Sequence, residues 1–409
     1  MKTAAGTAER AARVAFGRLV GSLAARGGDW AAAEDALGDA LVRALERWPS
    51  DGVPERPEAW LLTVARRRLI DGGRRRNLAS AREKDITLLE ELRRHPREGA
   101  PDPRLSLLFV CAHPAIEPRH RAPLMLQLVL GLEARRIGGA FLVKPNTMGH
   151  RLVRAKAKIR EARIPFEIPD VAEWPSRLES VLDAIYTAYS LGWDAAFGDD
   201  RPRLSGEALW LGRLIVELVP NQPEAMGLLA LMLYCEARRE ARRDTAGAFV
   251  PLDDQDPTLW CGAQMREAES WARAAGQQLA KTGVTALGRY QLEAAIQALH
   301  AERGRKGGTD WESLTRLYAG LRTISPTAGA LVGHAVASAR ASGPKAGLTL
   351  LDQLSEPHRR TYQPYWAARA QLLVDLGRPQ EARSAYDRAI GLTEDAAVRR
   401  FLAERRERL

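Results

Sequence analysis

Apolar positions recur at three- and four-residue intervals along almost the whole chain, the spacing of helices that each bury one face. In AAAEDALGDALVRALERW (31–48), Leu37, Leu41, Ala44, Leu45 and Trp48 share a face, and Glu34, Asp35 and Asp39 lie opposite. The run PSDGVPERP (49–57), with three prolines and a glycine, is expected to stop that helix. A second helix, EAWLLTVARRRLID, is expected to end at Asp71, because each glycine of Gly72-Gly73 costs about 0.8–1 kcal/mol in helix propensity; Arg74, Arg75 and Arg76 then sit on flexible backbone. Residues 1–78 thus form a first helical domain. The charged, aromatic-poor stretch 79–103 reads as a linker. A second compact unit, 104–168, closes at IPFEIP, and a third runs over 174–409. No run of alternating β-branched residues stands out, so the fold class is all-α.

The third region carries a repeat of about 35 residues: Leu331, Ala335, Gly347, Leu351 and Leu354 recur as Trp366, Ala370, Ala382, Tyr386 and Ala389. Small residues and an aromatic at these offsets resemble the tetratricopeptide pattern of stacked helix pairs. The longest apolar run, Ala225 to Cys235, is too short to span a bilayer and predicts a buried helix.

The most informative local pattern is APLMLQLVLGLEARRIGGAFLVKPNTMGHRLVRAKAKIREAR (122–163). It parses as a helix, a turn at Gly131, a second helix, a turn at Lys144-Pro145 and a basic helix. Met148, Leu152, Ala155 and Ile159 form the core stripe of that last helix. Seven basic residues and one acid lie between 144 and 163, as suits a recognition helix in a major groove. Asn146, Thr147, His150 and Arg151 are placed to approach base edges, with Lys144 at the turn; Arg154, Lys156 and Lys158 are placed to reach phosphates.

Charge sharpens this picture. The chain of 409 residues has a net charge of +10, and residues 1–170 hold 31 Lys and Arg against 21 Asp and Glu, so all the excess lies there. A basic front joined to a neutral remainder points to a polyanion-binding part. The N-terminus breaks any signal-like apolar run with charges, so a cytoplasmic protein is expected. Cys111, Cys235 and Cys261 are sparse and unpaired in spacing, so neither a disulfide framework nor a zinc site is expected.

TMGHRLVRAKAKI resembles region 4 of group-IV (extracytoplasmic-function) sigma factors, AEDALGDALVRALERW resembles their region 2.2, and PEAWLLTVARRRLIDGGRRR their regions 2.3 and 2.4. The stretches ERWPSDGVPERPEAWL, CAHP, AFLVKPNTM, IPFEIP, GLLALMLYCEARREARRD, QDPTLW, YQLEAAIQALHAE and TDWESLTRLYAGL extend the resemblance to the sub-family with a C-terminal tetratricopeptide-like domain. The resemblance implies that Glu34, Asp35 and Asp39, with Leu37, Leu41 and Leu45 as packing, dock on the β′ coiled coil of core RNA polymerase, and that the β flap is a further contact. It implies −10 element binding by the loop and helix carrying Trp60, Arg66, Arg67, Arg68, Arg74, Arg75 and Arg76. Trp60 either stacks on a base or packs in the core. Region 4 would read the −35 element, and Gly138-Gly139 in EARRIGGAF, where a scaffold helix is usual, is expected to weaken that contact without abolishing it. Promoter DNA and core polymerase are the partners expected; the 174–409 domain is expected to modulate activity or take a protein partner, and no membrane partner is expected. Alternatives from the residues themselves are a DNA-binding regulator that never joins polymerase, or an interaction scaffold.

Enzymatic readings fare poorly. The seven histidines include no H-E-x-x-H and no i,i+4 pair, and GRKGGTD (304–310) lacks the spacing of a phosphate loop. Cys111 and His113 have no second ligand pair, so packing is expected of CAHP, with no metal, no cofactor and no catalysis.

Overall fold

The computed structural model describes residues 16, 17, 19–24, 30–76, 102–141, 143–194, 201–283 and 286–409. Among these the fold is all-α, with one isolated antiparallel bridge between Arg243 and Phe249. The expected linker at 79–103 lies outside the described residues except for its last two. Two compact units are present, residues 1–193 with 200–208, and residues 194–199 with 209–409. The division therefore falls some twenty residues later than the expected start of the third region at 174.

The first unit opens with α1 (Trp30–Asp51) and α2 (Pro57–Arg76), which pack on each other. Trp30, Ala33, Ala36, Leu37, Ala40, Ala44 and Trp48 form the buried stripe of α1. Leu41 is half-buried, and Leu45, expected in that core, is 49% exposed beside an equally open Val42. The stripe runs back from Trp48 through Ala44, Ala40 and Leu37, and Leu45 falls a full helical step off it. The run 49–57 stops α1 as expected: Pro49 sits in the last turn, where the missing N–H breaks only one bond, and the helix ends at Asp51 before Gly52 at φ +83°. By contrast, α2 does not end at Asp71 but passes through Gly72-Gly73 to Arg76. A glycine weakens a helix by its entropy yet keeps its N–H and C=O, so propagation survives near an end.

The second part of this unit comprises α3 (Pro103–Cys111), α4 (Pro118–Leu128), α5 (Ala134–Ala140) and α6 (Pro145–Glu161). Asp102 caps α3, its carboxylate accepting from the Arg104 N–H at 2.8 Å, and Leu105, Leu107, Leu108, Phe109, Val110 and Cys111 are all buried. Gly131 turns the chain at φ +66°. α7 (Trp174–Asp194), expected with the third region, belongs to this unit: Trp174 stacks on Phe109 at 6.4 Å and donates its Nε1–H to the Pro169 carbonyl at 2.8 Å. Flat aromatic contact with α3 outweighs proximity in sequence to the later helices.

α8 (Arg201–Leu218) crosses the division, and the second unit continues as α9 (Pro223–Ala237), α10 (Gly262–Thr282), α11 (Arg289–Lys306), α12 (Trp311–Ile324), α13 (Ala328–Ser342), α14 (Pro344–Leu351), α15 (Glu356–Thr361), α16 (Gln363–Asp375), α17 (Pro379–Leu392) and α18 (Ala396–Glu407). The apolar run of 225–235 is buried in α9, between α10 and α11. A Cβ on Gly227 would lie 2.8 Å from the Gln291 nitrogen, so α9 and α11 touch through backbone. Glu224 accepts from the N–H groups of Tyr290 and Gln291 at 3.0 and 3.1 Å, closing the start of α11.

The 35-residue recurrence corresponds to two like helix pairs, α13 with α14 and α16 with α17. Leu331, Ala335, Leu351 and Leu354 share one core cluster; Ala370, Ala382, Tyr386 and Ala389 share the next. Gly347 stands where a Cβ would be 2.6 Å from the Ala335 carbonyl, so the smallest residue sits where two helices cross closest. Residues 243–260, including QDPTLW, run as a strap held to the helices. Arg303 donates to the Leu252 and Gln255 carbonyls at 2.6 and 2.9 Å, Arg340 pairs with Asp253 at 2.8 Å, and Phe249 meets Phe401 edge-on at 5.4 Å. The GRKGGTD segment is the end of α11 followed by the turn to α12, with Gly307 left-handed and Asp310 accepting from the Ser313 N–H as its cap.

Candidate nucleic-acid interface

α5 and α6 are joined by a short turn and pack on each other. Tight closure depends on Gly138, since a Cβ there would lie 2.6 Å from the Val143 carbonyl, whereas Gly139 faces open space. The Val143 N–H donates to the Gly138 carbonyl at 2.8 Å across the same turn. One glycine of the pair is thus a geometric requirement, and the other is not.

On α6, Met148, Leu152, Ala155 and Ile159 are buried, the core stripe read from the sequence. Lys144, Asn146, Thr147, His150, Arg154 and Lys158 are exposed, and Arg151 is half-buried. They form one continuous face of the helix. Lys158 has Glu161 at 3.8 Å, an exposed pair that costs a phosphate little to break. Behind this face, burial holds His120 of α4 below the usual histidine range, with Arg119, Arg151 and Arg154 adding to the shift against Glu117.

Lys156 is placed differently. Its ammonium is half-buried and bonded to the Glu34 carboxylate of α1. Arg160, one turn further, lies 3.7 Å from Asp35. Asp39 pairs instead with Arg68 of α2 at 2.6 Å. Glu34 is half-buried while Asp35 and Asp39 are exposed; Leu37 is fully buried, so it supports α1 and is closed to a partner. The acidic face of α1 and one flank of α6 therefore meet, which separate readings of the two helices do not anticipate. Val153 and Ala157 line an open cleft beside that contact, and the legible signal is an apolar Val153 out of step with the core stripe.

On α2, Trp60 is half-buried with its ring edge-on to Trp48 at 5.4 Å, which is packing at the rim of the core. Arg66 is half-buried, and Arg67 and Arg68 lie on the exposed side. The same helix runs on to Arg76.

Cys111 is fully buried and burial pushes its thiol well above the usual range, while the His113 Nδ1 accepts from the Ala115 N–H at 3.1 Å in a turn. Among the described residues no group of three His, Cys, Asp or Glu is arranged to hold a metal ion, and no helix is long and apolar enough to cross a membrane.

Comparison with known proteins fits this geometry. Sigma-70 region 2 matches residues 14–78, covering α1 and α2, and a family of unknown function, DUF6596, matches residues 177–276. An uncharacterized protein of Rhizobium meliloti (strain 1021), R00370, is 38% identical over 380 residues, covering 90% of this chain and 88% of the relative. No solved structure matches. With that similarity along nearly all its length, the chain belongs to the family of R00370, and it carries a sigma-70 region 2 at its front.

Proposed function

We propose that this protein is a sigma factor of the extracytoplasmic-function type that brings core RNA polymerase to a set of promoters in the cytoplasm. The observation that carries the reading is the joint presence of a sigma-70 region 2, with its acidic α1 and arginine-bearing α2, and a helix-turn-helix whose α6 offers an uninterrupted polar and cationic face. Glu34, Asp35 and Asp39, with Leu41 and the open Leu45, meet the β′ coiled coil. Opposite charge there gives orientation and on-rate more than affinity. Arg66, Arg67, Arg68 and Arg74 to Arg76 form the track for the −10 element, where phosphate attraction dominates. Trp60 contributes support to that helix from the core rim. Lys144, Asn146, Thr147, His150 and Arg151 face the bases of the −35 element and Arg154 and Lys158 face phosphates, while Lys156, expected beside them, is held on Glu34. The second unit, a tetratricopeptide-like stack, modulates this activity or receives a protein partner. The protein catalyses no reaction of its own.

The test is transcription from DNA upstream of its own operon, with core polymerase and the purified full chain. Promoter-dependent transcripts are expected. Their absence across several candidate promoters, with a competent polymerase, refutes the reading. Charge reversal of Asp35 and Asp39 is expected to abolish capture of polymerase; a DNA-binding regulator that never joins polymerase shows no such capture to lose.

A further inference from the structure

The second unit holds a pocket of about 190 Å³ between the strap and the last helices. Phe249 and Pro251 of the strap form one wall; Ala367 of α16 and Phe401 and Leu402 of α18 form the other. The walls are tied together by the Arg243–Asp395 ion pair and by the edge-on contact of Phe249 with Phe401. Pockets for drug-sized molecules run to about 300–1,000 Å³, so this one suits a ligand of on the order of ten non-hydrogen atoms.

Two charges in its lining are unmatched. Arg405 of α18 is half-buried, its guanidinium carbon 4.8 Å from the Phe401 ring centroid, and its Nη1–H donates to Gln371 Oε1 at 2.6 Å. Gln371 is neutral, and its Nε2–H is committed to Asp375 at 2.8 Å, which fixes the amide oxygen toward the arginine. No carboxylate among the described residues pairs with Arg405. Tyr386 is buried at the same place, with only a long bond from its hydroxyl to Gln371 Oε1 at 3.5 Å. On the strap, Asp253 is matched by Arg340 at 2.8 Å. Asp254 beside it is exposed, and its carboxylate has no partner among the described residues.

The pocket therefore offers a surplus cation from one wall, a surplus anion from the other, and apolar surface from both. Guanidinium holds a carboxylate more strongly than an amide, and in a matching fork. Asp254 calls for a cation. The last residue of a peptide supplies only the carboxylate, and the first residue only the ammonium; a free amino acid carries both.

We propose that this pocket binds a free α-amino acid with an apolar side chain, its carboxylate on Arg405 and the Tyr386 hydroxyl, its ammonium on Asp254, and its side chain between Phe249 and Phe401. The site lies wholly within the second unit, so it stands or falls apart from the sigma-factor reading. A ligand that touches both walls favours the strap in its closed place by mass action, which gives the second unit a small-molecule signal to respond to.

Calorimetric titration of the full chain with L-leucine and L-phenylalanine, paired with amide hydrogen exchange, tests this. Saturable binding of at least one is expected, with slowed exchange over 243–260 and 396–407. No saturation by either at millimolar concentration overturns the site, as does protection confined to other segments. N-acetylation of the ligand, which removes the ammonium, is expected to weaken binding roughly threefold to tenfold, and amidation, which removes the carboxylate, about tenfold or more. A derivative that binds as well as its parent overturns the zwitterion. Asp254→Asn and Arg405→Gln are expected to reproduce these two losses; should the second fail to fold, the amidated ligand tests the same contact. An Asp254→Asn chain that still prefers the free amino acid to its N-acetyl form overturns the seat of the ammonium.

Discussion

Replacing the two glycines of α5 one at a time is expected to move local stability in opposite directions. A Cβ at position 138 would lie 2.6 Å from the Val143 carbonyl oxygen, where ordinary contact begins near 3.4 Å, so the turn must open by about 0.8 Å. That oxygen is backbone and cannot rotate away. Forcing such an overlap costs about 1–3 kcal/mol, set against a gain of up to about 1 kcal/mol from alanine's helix propensity. At position 139 a Cβ meets nothing within 4 Å, so Gly139→Ala keeps only the propensity gain, about 0.5–1 kcal/mol. Amide hydrogen exchange over 134–161 in the full chain reads both as opening free energies. Gly138→Ala should speed exchange and Gly139→Ala should slow it. The downstream effect follows the same sign: affinity for a −35 duplex falls for the first variant, because α6 loses its fixed angle, and is held or raised for the second. Equal effects of the two substitutions, in either direction, would refute the assignment of the turn to Gly138.

Acid should weaken the second unit through His300. Burial, reinforced by Arg238 and Arg303, lowers its pKa from 6.5 to about 4, so the folded state resists a proton that the unfolded chain accepts. Its contribution is whole above pH 6.5 and is lost as pH falls toward 4, about 3 kcal/mol in all. Denaturant titrations at pH 7 and 4.5 should show that loss in the wild type and a much smaller one in His300→Gln; parallel slopes would dismiss it. On α6, Arg154→Ala and Lys158→Ala should weaken all duplexes alike and flatten the dependence of log affinity on log salt by about 1 each, whereas Asn146→Ala should alter sequence preference. A sequence-selective loss in Arg154→Ala would contradict its placement toward phosphate.

Sequence alone settled what depends on residues near one another along the chain. The all-α class, the core stripe of α6, the turn at Gly131, the buried helix at 225–235 and the 35-residue pairing of α13–α14 with α16–α17 all follow from helical period and local sterics. Where several faces of one helix compete, period is not enough. Leu45 satisfied the apolar rule yet lies outside the stripe that Trp48, Ala44 and Leu37 bury, since α2 decides which arc of α1 is covered. The glycine pair at 138–139 read as a defect because propensity prices a glycine without knowing what its missing Cβ would strike. α7 joined the first unit through Trp174 on Phe109, a contact across 65 residues of chain that no local rule contains. Tertiary structure alone decided that Glu34 and Lys156, 122 positions apart, are partners. Charge attracts through space, and space between distant segments is defined only once the helices have packed.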